Sequence, residues 1–210
     1  AFKTLVTELK WFLKGDTNIE YLQKNNCHIW DGDYKKSGRT DGELGPIYGK
    51  QWRDINGIDQ LKNLINGINN NPDGRRHLVD SWNVEDLDKM TLPPCHYSFQ
   101  CYVADDKLSL MWNQRSADLF LGVPFNISSY GLLLELLCAE TGYEPGDLIG
   151  NFADVHLYHN HLEQAKLQLQ RNSFKLPMLN LTYYDIYKGD FDAKLANYSY
   201  HPPIKAPLSN

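Results

Sequence analysis

The sequence predicts an α+β fold, and three observations carry that reading. Apolar residues recur at helical spacing near the start (Leu5, Val6, Leu9, Phe12, Leu13) and again at Ile58, Leu61, Leu64, Ile65 and Ile68. Between Cys95 and Asn113 the pattern alternates instead, on either side of a polar turn at residues 104–107, as in a hairpin. Residues 126–141 then form one long apolar run. Its broad face of Tyr130, Leu133, Leu134, Leu137 and Cys138 calls for a largely buried helix.

Composition narrows the class. A chain of 210 residues, 42% hydrophobic and 12% aromatic, suits one globular domain over residues 1–210 with a sizeable core. A net charge of -5 argues against a general polyanion-binding surface, so an anionic ligand would have to be met by local arginines. Cys27, Cys95, Cys101 and Cys138 are scattered with no CxxC pair, which suggests free thiols and a reducing, cytoplasmic setting. No membrane span and no signal peptide are expected. The chain opens on Ala1, already in helical pattern and without a methionine, so a natural segment is expected before it.

Taken in order, Gly15-Asp16 ends the first helix and Asn18 caps a second at residues 19–24. Glu8 sits on the first helix among hydrophobes, where a solvated face is the ordinary reading. Residues 32–42 read as a polar loop after Trp30, itself a candidate core residue. The stripe from Ile58 to Ile68 ends at a polar cluster, followed by Arg75-Arg76, by composition simply surface charge. Residues 77–83 read as a strand and 84–90 as a short helix. Pro93 and Pro94 stiffen the approach to Cys95. Tyr97, Phe99, Cys101 and Val103 then point one way, and His96, Ser98 and Gln100 the other. The returning strand, residues 108–113, ends at Gln114-Arg115-Ser116, which brings Arg115 level with Cys95. A guanidinium beside a thiol favours the reactive thiolate; the alternative is a buried thiol and an unrelated surface cation. Asn126 is either an N-cap or a ligand reader with both a donor and an acceptor. Residues 148–158 read as a strand, 160–171 as a helix with an inner stripe of Leu162, Ala165, Lys166 and Leu169, and 176–181 as a late strand. His156, His159 and His161 lack convincing metal-ligand spacing, and no metal is expected.

Several motifs stand in a telling order. They are Glu8-Leu9-Lys10-Trp11-Phe12-Leu13, Ile29-Trp30, the 44–53 block LGPIYGKQWR and Pro94-Cys95-His96. Gln114-Arg115-Ser116-Ala117-Asp118, Gly122-Val123-Pro124-Phe125-Asn126-Ile127 and Asp154-Val155-His156-Leu157-Tyr158 follow. Together they resemble the thymidylate synthase family over nearly the whole chain.

That resemblance implies a mixed β-sheet flanked by helices, with sheets packed against each other in a homodimer. It implies reductive methylation of dUMP to dTMP with 5,10-methylenetetrahydrofolate as co-substrate and dihydrofolate as product. Cys95 would add to C6 of the uracil, Arg115 would stabilise the thiolate and touch the phosphate, and Ser116 would donate to that phosphate. Glu8, Tyr48 and Asn126 would manage charge and protons on the ring. Gln114, Asp118, His156 and Tyr158 complete the nucleotide contacts, and Arg75 and Arg76 would reach the phosphate of the other subunit. Trp30, Asp118, Gly122, Phe125 and Ala206 would face the folate, with the tail at 202–207 closing over it. Asp33 stands where the family often has a second tryptophan. Gly38-Arg39-Thr40 is similar to the family's phosphate-clamping loop but lies in the wrong place, and no role follows for it. Two rivals remain: a dUMP hydroxymethylase, and a non-catalytic paralogue that binds nucleotide or, weakly, RNA.

Overall fold

The computed structural model describes residues 2–209, so the expectation tied to Ala1 lies outside the described residues. Helix α1 (Phe2–Leu13) forms where the helical stripe predicts it and buries Leu5, Leu9, Trp11, Phe12 and Leu13. Glu8 is buried with them, only 7% exposed, so the solvated-face reading of this carboxylate is wrong. Asn18 caps α2 (Ile19–Lys24) as expected, accepting the Glu20 N–H at 2.9 Å. The stretch expected to be loop instead contains α3 (Asp31–Ser37), closed by Gly38 at φ 70°. Its acidic first turn and basic last turn suit the helix dipole, a signal that loop-like polarity concealed.

A short helix not foreseen in the sequence, α4 (Gly49–Arg53), packs on α1 so closely that a Cβ at Gly49 would lie 2.2 Å from the Phe12 carbonyl oxygen. Tyr48, just before it, adopts φ 28°, a conformation costing a non-glycine residue about 1–3 kcal/mol. Helix α5 (Gln60–Asn70) buries Leu61, Leu64, Ile65 and Ile68. Asp59 caps it and leaves Ile58 outside, 52% exposed, so Ile58 is not part of the stripe.

The main sheet has four strands in the order β1-β2-β3-β4: β1 (Leu78–Asp80), β2 (His96–Ala104), β3 (Lys107–Asp118) and β4 (Glu144–His156). The pairs β1–β2 and β2–β3 are antiparallel, whereas β3–β4 is parallel, so the sheet is mixed as expected. The β2–β3 hairpin turns on Asp105 and Asp106, both at positive φ, which matches the right-handed strand twist. The parallel pair is bridged by α6 (Gly122–Thr141), whose leucines at 132, 133, 134, 136 and 137 are buried.

At 20 residues and a mean hydropathy of 1.2, α6 has the length and composition to cross a membrane, contrary to the expectation that no run does. Half of that stretch is buried within this fold. A second sheet, β5 (Met178–Asp185) with β6 (Asp190–Ala196), was only half foreseen. It joins the rest partly through Ile186 and Phe191, both buried.

Several boundaries differ from the sequence reading. Residues 77–83 supply only the three-residue β1, and 84–90 only a 3-10 turn at Leu87–Lys89. Strand β4 begins and ends earlier than expected, and β5 runs four residues further. Helix α7 (Leu162–Leu169) is shorter than expected, and its supposed inner stripe is not buried: Leu162 is 41% and Leu169 87% exposed. Sheet β2 carries a bulge between His96 and Ser98, the most consequential difference. The extra residue, Tyr97, shifts the alternation by one, so His96 joins Phe99 on the core side rather than opposing it.

Candidate active site

Cys95 stands one residue before β2, half-buried, and is a free thiol. Arg115 is not beyond the end of the returning strand but within β3, which runs on to Asp118. Its backbone N–H donates to the Cys95 carbonyl at 2.8 Å, so the hairpin does bring the two residues level. The guanidinium forks onto the chain before the cysteine: Nε donates to Pro94 O at 2.9 Å and Nη2 to Pro93 O at 3.0 Å. Its Cζ lies 5.4 Å from the Trp82 ring centroid, beside a recess lined by Asp80, Trp82, Tyr97 and Arg115. Among the described residues its other three N–H groups have no partner and are open to an anion.

The expected thiolate does not follow from this geometry. Burial raises the Cys95 thiol above its ordinary value and outweighs the lowering by Arg115; Asp33 raises it too, while Tyr48 lowers it. Arg115 therefore limits the effect of desolvation rather than reversing it. Asp33 is an electrostatic neighbour that the sequence reading treated only as a change in the folate region.

A row of rings lies behind Cys95. Trp11, Trp30, Tyr48, His96, Tyr130 and Trp112 follow one another with centroids 4.3 to 6.0 Å apart. Tyr48 stacks on His96 at 4.3 Å, and its hydroxyl accepts the Cys95 N–H at 2.9 Å. The His96 Nδ1 bonds the Tyr130 hydroxyl at 2.8 Å. Burial lowers His96 to about 3, so it is neutral at ordinary pH. The Trp30 indole donates to Glu8 Oε1 at 2.7 Å. Burial pushes Glu8 up to about 7, against the pull of that hydrogen bond. Trp30 is thus held in the core at 7% exposure, while neighbouring Ile29 is 38% exposed.

Asn126 is not an N-cap; it lies in the second turn of α6, which begins at Gly122. Its orientation follows from a chain of amides. The Trp112 indole can only donate, and it bonds Gln114 Oε1 at 3.1 Å. Gln114 Nε2 must then face the other way, where it bonds Asn126 Oδ1 at 3.1 Å and Ser116 O at 3.0 Å. Asn126 Nδ2 is left to donate elsewhere. Gln114 itself is buried at 2% exposure.

The parallel β3–β4 register sets Asp118 against His156 and Ser116 against Asp154. Asp118 Oδ1 accepts the Phe120 and Leu121 N–H groups at 3.0 and 3.3 Å. Oδ2 carries no hydrogen bond among the described residues. A Cβ at Gly122 would come within 3.3 Å of Asp118 Cβ and 3.7 Å of Asn126 Oδ1, so glycine keeps the gap between them open. Phe125 is partly buried against the core. His156 and Tyr158 meet edge-to-face at 5.0 Å. The tail passes close by: Leu208 lies over Gly32, and Pro207 O accepts a hydrogen bond from His161 Nε2 at 2.7 Å. Ala206 lies in this strap, partly exposed. Arg75 and Arg76 are exposed just before β1.

The thymidylate synthase family profile matches residues 1–210, the whole chain. This chain belongs to the thymidylate synthase family. The family consists of methyltransferases of dTMP synthesis that bind dUMP, use methylenetetrahydrofolate and are typically dimeric. Segments far apart in the sequence meet here in pairs: Tyr48 and Arg115 at Cys95, and Gln114 at Asn126. Two features of the arrangement escaped the sequence reading. The bulge that turns His96 inward has no signature beyond Tyr97 itself, and the burial of His161 depends on where the tail runs. Among the described residues, no group of three or more His, Cys, Asp or Glu could hold a metal ion.

Proposed function

We propose that this chain, as one domain acting in a homodimer, converts dUMP to dTMP with 5,10-methylenetetrahydrofolate in the cytoplasm, leaving dihydrofolate. The observation that carries this reading is the backbone bond from Arg115 to Cys95, which sets a thiol level with a guanidinium; the Gln114-oriented Asn126 supports it.

In this reading Cys95 gives its proton to water and its sulfur bonds C6 of the uracil; that bond breaks again at the end, when the C5–C6 double bond re-forms and the sulfur leaves with its electron pair. The C5–C6 electron pair moves toward C5 and O4, which makes C5 nucleophilic. The free donors of Arg115 and the Ser116 hydroxyl hold the phosphate. Asn126 Nδ2 donates to O4 while its Oδ1 accepts N3–H, a pattern cytosine cannot match. Glu8, protonated near neutrality, and Tyr48 serve the proton movements at O4 and C5. Gln114 acts through Asn126, and His156 and Tyr158 hold the sugar hydroxyl. The free oxygen of Asp118 and the opening at Gly122 suit the donor edge of a pterin, with Ile29, Trp30, Phe125 and Ala206 along its apolar side. Methylenetetrahydrofolate supplies the one-carbon unit and the hydride.

The homodimer places the outer face of the sheet against its counterpart. That face carries a groove of about 570 Å³ lined by residues such as Gln100, Tyr102, Ser109, Met111 and Ile149. Tyr102 is 65% and Ile149 47% exposed there. Arg75 and Arg76 of each chain then serve the phosphate of the other.

The test is incubation with 5-fluoro-dUMP and methylenetetrahydrofolate followed by intact-mass analysis. A ternary covalent adduct is expected on the wild type and not on Cys95→Ala; no adduct on the wild type would falsify the assignment. Dihydrofolate absorbance with dUMP separates methylation from hydroxymethylation, which transfers no hydride.

A further inference from the structure

His161 is fully buried at 0% exposure, yet it stands in a short 3-10 turn (His159–His161) on the rim of the site. Its two nitrogens face different partners. Nε2 is 2.7 Å from the Pro207 carbonyl, and a carbonyl only accepts, so Nε2 carries the proton. On a neutral ring Nδ1 is then a bare lone pair, and it is the one buried side-chain polar atom without a hydrogen-bond partner among the described residues. It lies 3.9 Å from Asp118 Oδ1, too long for a hydrogen bond. The ring is confined between Phe120 and Tyr158, with centroids 5.5 and 5.7 Å away.

The neighbouring residue makes the same attachment. Asn160 and Ser209 exchange hydrogen bonds at 2.7 and 3.0 Å. Between these anchors and the other side of the site, Leu208 rests over Gly32. The tail therefore spans from the start of α3 to the turn after β4, and His161 is its buried fastening.

We propose that His161 is a positioning residue that fastens the C-terminal strap and transmits its seating to Asp118. This rests on the reading that Asp118 faces the folate. With the strap seated, the Pro207 carbonyl fixes the proton on Nε2 and turns the Nδ1 lone pair toward Asp118. Two acceptors repel, so Oδ1 is kept on the Phe120 and Leu121 amides and Oδ2 is left for the ligand. With the strap away, the ring can rotate or exchange tautomer, and the carboxylate loses that constraint. Closure of the tail and readiness of Asp118 become one event.

Two substitutions separate the two ends of the ring. In His161→Gln the amide nitrogen reaches the Nε2 position and keeps the strap bond; in His161→Asn it reaches only the Nδ1 position and loses it. The first readout needs no substrate: the rate of tryptic cleavage after Lys205, an exposed residue of the strap. His161→Asn is expected to be cut about tenfold faster, the size of one lost hydrogen bond, and His161→Gln at nearly the wild-type rate.

The second readout is the KM split. The folate KM should rise about tenfold in His161→Asn, which loses the strap bond, and stay raised in His161→Gln, which keeps that bond but lacks the Nδ1 lone pair, with the dUMP KM nearly unchanged in both. Unchanged cleavage in His161→Asn, cleavage in His161→Gln as fast as in His161→Asn, or a wild-type folate KM in His161→Gln overturns the proposal. Should His161→Asn fail to fold, nitrogen-15 shifts of the unaltered protein decide: a neutral ring with its proton on Nε2 supports the proposal, and a proton on Nδ1, alone or in the imidazolium, overturns it. Cleavage and tautomer are read without catalysis, so they stand apart from the fluoro-dUMP adduct that tests the activity itself.

Discussion

The Trp30 indole donates to the Glu8 carboxylate at 2.7 Å, and both side chains are buried. One hydrogen bond does not replace the hydration lost by a carboxylate, so Glu8 is raised to about 7 by desolvation. A group near neutrality can take and return a proton, and the same shift makes Glu8 destabilising once it ionises.

Glu8→Gln should therefore trade activity for stability. The folded protein holds a proton on Glu8 that the unfolded chain releases between pH 4.5 and about 7. Stability attributable to Glu8 falls as pH rises through that window. Urea unfolding at pH 8 should show the Gln variant more stable by about 3 kcal/mol, with the advantage vanishing near pH 4.5. Turnover should drop about 100-fold or more.

His96 titrates in the opposite sense. It is lowered from 6.5 to about 3, so the unfolded chain binds a proton there that the folded protein refuses. Its contribution to stability is lost as pH falls from 6.5 toward 3. Between pH 4.5 and 6.5 the two slopes oppose each other in the wild type. In Glu8→Gln the opposing Glu8 slope is gone, and the stability slope there should shift by about 1.4 kcal/mol per pH unit toward stability rising with pH, measured by denaturant titration in matched buffers.

Cys95 reactivity should respond to both flanking charges. Asp33→Asn removes a carboxylate that raises the thiol, so alkylation by iodoacetamide at pH 8 should accelerate. Arg115→Ala should slow it. The arginine change should also reduce thermal stability, because the Pro93 and Pro94 carbonyls lose their donors.

Gln114→Leu should weaken recognition without touching ligand. The Trp112 indole would be left unpaired, costing about 1–3 kcal/mol, and Asn126 would be free to flip. The expected kinetics are a dUMP KM raised about tenfold and weaker discrimination against dCMP, read by competition.

Arg76 should act across the dimer. Cys95→Ala and Arg76→Ala homodimers should each be nearly inactive. After subunit exchange, half of the dimers are mixed and each has one intact site, so activity should return to about a quarter of wild type. Recovery to no more than the sum of the parents would place Arg76 in its own chain's site.

The sequence by itself determined α1 and α5, whose 3.6-residue apolar stripes leave one way to bury them, and α6, which is apolar around most of its surface. It also determined the hairpin, whose alternation and turn bring Arg115 back to Cys95, and the family, through motifs in a fixed order. Tertiary structure alone decided the protonation chemistry. Whether Arg115 or burial prevails at Cys95, and whether Glu8 meets water, depends on how many atoms from distant segments surround each group. It also decided the facing of His96, since one bulged residue reverses a strand's two sides, and the burial of His161, which lies under a tail 46 residues further along the chain.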